Sequence, residues 1–144
     1  MYLPDDNHVM RFVPYKKLML DEHENIIGFL PQAFELRPEE RGLSVNWLEY
    51  FKGSDQFNVQ SSISVFRKTR KVGAKSAFGI GNVKNIQDTC ASCGARKVRI
   101  VHEPVIPDNE SHSIIIRLPQ DDLLLLAALA EDAFTRIELS AEAP

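Results

Sequence analysis

Lys97-Val-Arg-Ile-Val-His102 and His112-Ser-Ile-Ile-Ile-Arg-Leu118 read as two β-strands, joined by the nine-residue loop Glu103-Pro-Val-Ile-Pro-Asp-Asn-Glu-Ser111. Side chains alternate along a strand, so Val98, Ile100 and His102 share one face of the first, and His112, Ile114 and Ile116 one face of the second. The period then changes. From about Gln120 to Ile137 the pattern is helical, with Asp121 and Asp122 in a first turn where the helix dipole favours negative charge. Leu123 to Leu126 is apolar all round, which predicts packing on more than one side. Strands do not alternate regularly with helices along the chain, so the expected class is α+β.

Working back toward the N-terminus, Ala77 to Ile86 reads as a third strand, and Asp55 to Lys71 supports two readings. Phe57, Val59, Ile63 and Val65 alternate as a strand would, but Val59, Ile63 and Phe66 recur at helical spacing and Gly73 decides for a helix ending there. Ser44 to Gly53 fits a helix, with Ser44 as N-cap and Trp47, Leu48 and Phe51 on one face. Leu43, Val45 and Trp47 also alternate as a strand would. The helix is the reading adopted. His8 to Val13 is a strand, and Lys16 to Leu20 and Ile26 to Leu30 flank a polar connection of hairpin length. Gln32 to Arg37 is a further short strand, ending at Pro38. The sum is one domain over residues 1–139, an antiparallel or mixed sheet with two or three packed helices, and a frayed tail at 140–144.

The composition, 44% apolar and 26% charged, is that of a folded chain. The longest apolar run, Leu123 to Ala130, is eight residues against the roughly 20 that span a bilayer. The N-terminus lacks the basic and apolar regions of a secretion signal, and two cysteines make no secreted disulfide framework. The expectation is a cytoplasmic protein without a membrane partner.

Charge is unevenly spread. Residues 67–99 hold nine Lys/Arg against Asp88 alone, a formal +8, while the remainder, with eight basic and 19 acidic residues, carries −11. Such a field favours anionic partners whatever the net charge of −3. Arg67, Lys68, Arg70 and Lys71 fall in the last turns of the expected helix, where cations also simply complement its dipole. Lys97 and Arg99 share a strand face with Val101, away from the apolar face. If both groups fall on one side of the fold, they form a patch for a larger protein partner or a nucleic acid. No zinc-finger spacing or RNP-like aromatic pattern accompanies them, and Phe78-Gly-Ile-Gly81-Asn lacks the Gly-Lys-Ser/Thr of a phosphate loop.

Cys90-Ala-Ser-Cys93-Gly94 admits three readings. It is half of a tetrahedral zinc site, a redox dithiol, or a turn between the strands on either side. The nearest histidines are His102 and His112, and an intervening strand rising about 3.3 Å per residue carries His102 far from Cys93. The turn is therefore favoured over zinc at Cys90 and Cys93.

If the two strands that open this section pair as a hairpin, His102 and His112 sit opposite each other at its loop end. With Glu103, Asp108 and Glu110 close by, they could act as general acid and base. His8 joins them if the first strand lies adjacent, and Arg11 offers an anion clamp. No serine stands in a recognisable nucleophile elbow. The leading expectation is a small binding or accessory protein that engages its partner through the basic face, with Trp47, Tyr50 and Phe51 as anchors. The alternative is a small histidine-dependent enzyme acting on a phosphorylated or nucleotide substrate. A zinc-stabilised module is the third class.

Overall fold

In the computed structural model, which describes residues 1–140, one six-stranded antiparallel sheet runs through the molecule. Its strands are β1 (His8–Val13), β4 (Gly42–Trp47), β5 (Ala77–Asn82), β6 (Arg99–His102), β7 (His112–Ile116) and β8 (Arg136–Leu139), in the order β6-β7-β4-β1-β5-β8. A separate hairpin is made by β2 (Leu18–Leu20) and β3 (Ile26–Phe29). Three α-helices complete the single domain: α1 (Asp55–Thr69), α2 (Val83–Ser92) and α3 (Leu123–Ala128). The α+β class is as expected, and the sheet is wholly antiparallel.

Alternation sorts the strand residues onto two faces. Val9, Val13, Leu43, Val45, Ile100 and Ile115 point to one, where Ile86 and Cys90 of α2 and Leu125, Leu126 and Leu129 from α3 and the turn after it cover them. Phe34 stacks on Phe134 in this layer at 4.7 Å. Met10, Phe78 and Ile80 point to the other face, beneath Val59, Ile63 and Phe66 of α1. The two glycines of β5 serve close packing. A Cβ on Gly79 would meet the Phe29 ring at 2.9 Å, and one on Gly81 the Ala133 carbonyl at 2.8 Å.

Several elements differ from expectation, each for a local reason. Ser44 does not cap a helix. Residues 42–47 form β4, paired with β7 along its length and with β1 at Val9↔Trp47 and Met10↔Asn46, and only Leu48–Phe51 turns into a 3-10 helix. Gln32 to Arg37 is no strand. Pro31 opens a 3-10 turn, Pro31–Phe34, at the position where its missing N–H costs nothing. The strand from Ala77 stops at Asn82, whose side chain accepts the Asn85 N–H and starts α2. The long C-terminal helix ends early in a π-helical turn, Leu129–Ala133, and Arg136–Leu139 becomes β8. Ser140, expected to fray, is buried, and its N–H bonds to the Ser76 carbonyl at 3.0 Å. The remainder of the expected tail, 141–144, lies outside the described residues. No described helix is long and apolar enough to cross a membrane.

Candidate functional site

The histidines expected to face each other do not. The register of β6 with β7 sets His102 opposite Ser113, so His112 lies one residue out of step and on the other face of the sheet. His102 packs edge-on to the Trp47 ring at 5.1 Å and donates from Nε2 to the Glu110 carbonyl at 2.8 Å. His8 is separated from β7 by β4. Its Nδ1 meets Glu49 Oε2 at 2.7 Å, and its backbone N–H meets Glu49 Oε1 at the same distance. That paired contact staples the start of β1 to the turn after β4, away from His112.

His112 has a different partner. Its Nδ1 lies 2.8 Å from the Glu103 carbonyl, which can only accept, so Nδ1 carries the proton. Its Nε2 is then free to accept from the Ser44 hydroxyl, 3.2 Å away on the neighbouring strand. Burial first, then the charges of Arg70 and His102, holds the imidazole below its ordinary value and keeps it neutral near pH 7.

Ser44 is also gripped through its backbone. Beyond Met10 and Asn46 the β1–β4 pairing ends, and the Arg11 side chain spans the gap. Arg11 Nε donates to the Ala33 carbonyl at 2.7 Å and NH1 to the Ser44 carbonyl at 2.9 Å. Burial pulls this guanidinium down to about 10, and the charges of Arg70 and Arg37 add to the fall while Glu40 opposes it. It remains a cation at neutral pH.

Around this point the cations gather. Arg70, the C-cap of α1, lies over the Phe12 and Phe66 rings at 5.4 and 5.7 Å. Its value is lowered by burial and then by Arg37. Lys17 is lowered by burial, then by Arg11, Lys16 and Arg37. Arg11 on β1, Arg37 in the loop after Phe34 and Arg70 at the end of α1 thus lie around one half-buried carboxylate, Glu40, which binds Arg37 Nε at 3.1 Å. Lys17, beside Arg11 and Arg37, has Glu35 as its carboxylate. Glu40 is held below the usual carboxylate range: burial raises it, and hydrogen bonds from the Arg37 backbone and side chain outweigh that.

Of the six basic residues singled out in the sequence, Arg70 alone is brought into this corner. The Arg67 guanidinium reaches the Ser140 carbonyl at 3.2 Å, toward the opposite side of α1. Lys68 lines a groove of about 310 Å³ with Tyr50, Asp108 and Glu110. Lys71 is exposed after the helix, and the Lys97 carbonyl accepts from Arg117. Arg99 folds back on the Val98 and Arg96 carbonyls at 2.7 and 3.3 Å. Trp47, Tyr50 and Phe51 are all partly exposed. Tyr50 and Phe51 line the groove, with the Tyr50 hydroxyl donating to Glu110 at 2.8 Å, and Trp47 packs against Tyr50 at 6.1 Å.

The loop from Glu103 to Ser111 is pinned beside the corner by a buried chain of hydrogen bonds. Asn109 Nδ2 donates to Asn46 Oδ1 (2.7 Å), Asn46 Nδ2 to Ser62 Oγ (3.1 Å), and Ser111 Oγ to Asn109 Oδ1 (2.8 Å). Asn46, Ser62 and Ser111 are each almost wholly buried. The chain ties loop, β4 and α1 together.

Cys90 and Cys93 do not form an inter-strand turn. They close α2, with Cys90 in its last turn and Cys93 as C-cap, and both are free thiols. Burial, with Cys93 adding to it, pushes Cys90 up to about 12, so it stays a thiol rather than the thiolate that redox or metal chemistry needs. A helix C-terminus disfavours a thiolate further. Among the described residues, no three His, Cys, Asp or Glu side chains come together as metal ligands.

Ser44, Lys17, Arg37 and Glu40 were not singled out as site residues. Local pattern reads Ser44 as a helix cap, and the other three lie outside the basic segment. Only the placement of β4 beside β7 brings the Ser44 hydroxyl to His112. Comparison with protein-family models, curated proteins and solved structures found no match to this chain.

Proposed function

We propose that this is a cytoplasmic binding or accessory protein that holds an anionic group, a phosphate or a carboxylate, of a larger protein partner at the corner formed by Arg11, Lys17, Arg37 and Arg70. One observation supports the reading: Arg11, Arg37 and Arg70, from three separate segments, surround a single half-buried carboxylate, Glu40, with Lys17 beside them, and neighbouring cations help to lower Arg11, Lys17 and Arg70. Such crowding of like charge is unfavourable alone and is relieved by a bound anion. A protein partner fits better than a nucleic acid. The basic residues do not form a continuous stripe along which a phosphate backbone could run, because Asp108 and Glu110 interrupt it beside Lys68. The partly exposed Trp47, Tyr50 and Phe51 are the residue types that anchor protein interfaces. Two free thiols accord with a reducing compartment.

The test is a nuclear magnetic resonance titration with inorganic phosphate and with a phosphorylated peptide, on the wild type and on Arg37→Gln/Arg70→Gln. Saturable shifts at Ser44, Glu40 and His112 in the wild type, weakened at least tenfold in the variant, support the corner. Equal response in the two proteins refutes it. Tight, salt-dependent binding of arbitrary RNA or DNA, with no response to the peptide, replaces the protein partner with a nucleic acid.

A second reading rests on the Ser44 hydroxyl held 3.2 Å from a neutral imidazole whose other nitrogen is fixed by the Glu103 carbonyl. That is the relation of a nucleophile to its general base. A small hydrolase acting on an anionic ester would use Ser44 as nucleophile, His112 as base and Arg70 to hold the anion. A fluorophosphonate probe that labels the wild type, and neither Ser44→Ala nor His112→Gln, establishes it. Failure to label the folded wild type removes it.

A further inference from the structure

We propose that the outer edge of β8 is a homodimer interface, in which two copies of this chain pair antiparallel about a two-fold axis at Ile137. The inference is independent of the anion-binding corner. β8 closes the strand order and is bonded on one side only, to β5. The Ser140 N–H bond to the Ser76 carbonyl fixes the phase of that ladder. With Phe78↔Glu138 and Ile80↔Arg136 in register, the even-numbered residues of β8 bond inward, and Ile137 and Leu139 turn their N–H and C=O groups outward. Among the described residues, no backbone hydrogen bond reaches these outward groups. The other end of the sheet is treated differently. There Leu3 N–H bonds to the Ile100 carbonyl, His102 N–H bonds to the Met1 carbonyl, and Tyr2 bridges Val101, so the chain covers its own edge.

Charge selects the occupant. A bare edge strand is ordinarily protected by charges that repel a second strand. In β8 the order Arg136-Ile137-Glu138 has the opposite effect for a second copy. Antiparallel pairing centred on Ile137 sets each Arg136 across from the partner's Glu138, and the two Ile137 N–H and C=O groups bond reciprocally. Centring on Glu138 would oppose two carboxylates instead, so the register is specified. Arg136 and Glu138 already lie on one face, with Arg136 2.9 Å from Glu138 and 2.9 Å from Asp55. Dimerisation adds the partner's carboxylate to an arginine held in place. On the other face, Ile137 and Thr135 border a groove of about 290 Å³. The groove's rim includes Ile27 and Met19, which are 57% and 36% exposed. A second copy on the edge would cover this apolar rim.

Sedimentation and light scattering of the wild type are expected to give a dimer. Ile137→Pro removes one outward N–H without touching the bonds to β5, and is expected to give a monomer with unchanged circular dichroism. Glu138→Arg and Arg136→Glu are each expected to lose the dimer, because like charges then face each other. An equimolar mixture of the two restores every opposed pair, so native mass spectrometry should find the heterodimer. A wild type monomeric at all concentrations overturns the proposal. So does a wild-type dimer that survives Ile137→Pro and both charge variants, which would place the contact elsewhere.

Discussion

The two faces of the six-stranded sheet are built from alternate residues of the same strands, yet they do different work. The face under α2 and α3 is closed by aliphatic and aromatic side chains, and the titratable group buried in it, Cys90, is held as a neutral thiol. The face under α1 is closed in this way only over β1 and β5. Over β4 and β7 it carries Ser44, Asn46 and His112, with Ser62 and Asn109 packed onto it. One strand shows the contrast: in β4, Leu43 and Val45 enter the apolar layer, and Ser44 and Asn46 enter the polar one. The lesson is that a single sheet can be stabilised on one side and equipped on the other, with register alone deciding which residue serves which purpose.

The contrast can be broken most forcefully on the closed face. Phe134→Ala removes a ring that is 1% exposed and stacked on Phe34, and is expected to cost about 3–5 kcal/mol in urea denaturation. A loss below about 1 kcal/mol would mean that this face is less tightly packed than described. On the polar face, Asn46→Ala removes the hydrogen bonds to the Ser62 hydroxyl and from Asn109 Nδ2 and should cost about 1–3 kcal/mol. Equal stability in the two proteins would show that the network does not hold the loop.

His112 supplies a smaller, pH-dependent effect. Its folded-state value lies below the ordinary 6.5, so on acidification the unfolded chain takes up the proton first. The imidazole's contribution is therefore complete above about 6.5 and is lost as pH falls below that value. Denaturation of the wild type against His112→Gln should show a stability difference that shrinks on acidification through this range, and a pH-independent difference would contradict the assignment. The smallest effect is chemical. A thiol reagent should modify the partly exposed Cys93 in the folded protein and leave the buried Cys90 until unfolding. Simultaneous modification of both would show that α2 opens readily.

Much of the fold is legible in the residues themselves. The alternation of His8–Val13, the hairpin around Asp21–Asn25 and the β6–β7 hairpin all follow from local pattern, and Gly73 resolves the two readings of the segment from Asp55 in favour of a helix. The misread segments are those in which local pattern supports two answers. Leu43, Val45 and Trp47 alternate, but Trp47, Leu48 and Phe51 also share a helical face, and pairing with β7 along its whole length decides for the strand. Arg136–Leu139 reads as the end of a helix because the turn that separates it from α3 is a π-helical one, without glycine or proline. The corner was less legible than the fold. Arg70 stands out in a charge count, but Ser44, Arg37 and Glu40 meet it only through tertiary placement, and a one-residue register difference separates the two histidines that spacing had joined.

The first strand of the chain lies inside the sheet, and this has a consequence for biosynthesis. Val9 and Met10 pair with Trp47 and Asn46, and Val13 pairs with Ala77. During synthesis from the N-terminus, β1 leaves the ribosome with neither neighbour made, and before β4 follows the strand pairing open to the chain is the β2–β3 hairpin. Met10, which is completely buried in the finished protein, stays open to contact until α1 and β5 have followed. The nascent sheet therefore stays incomplete until β5 has been made, and closes only when Arg136–Leu139 arrives beside β5.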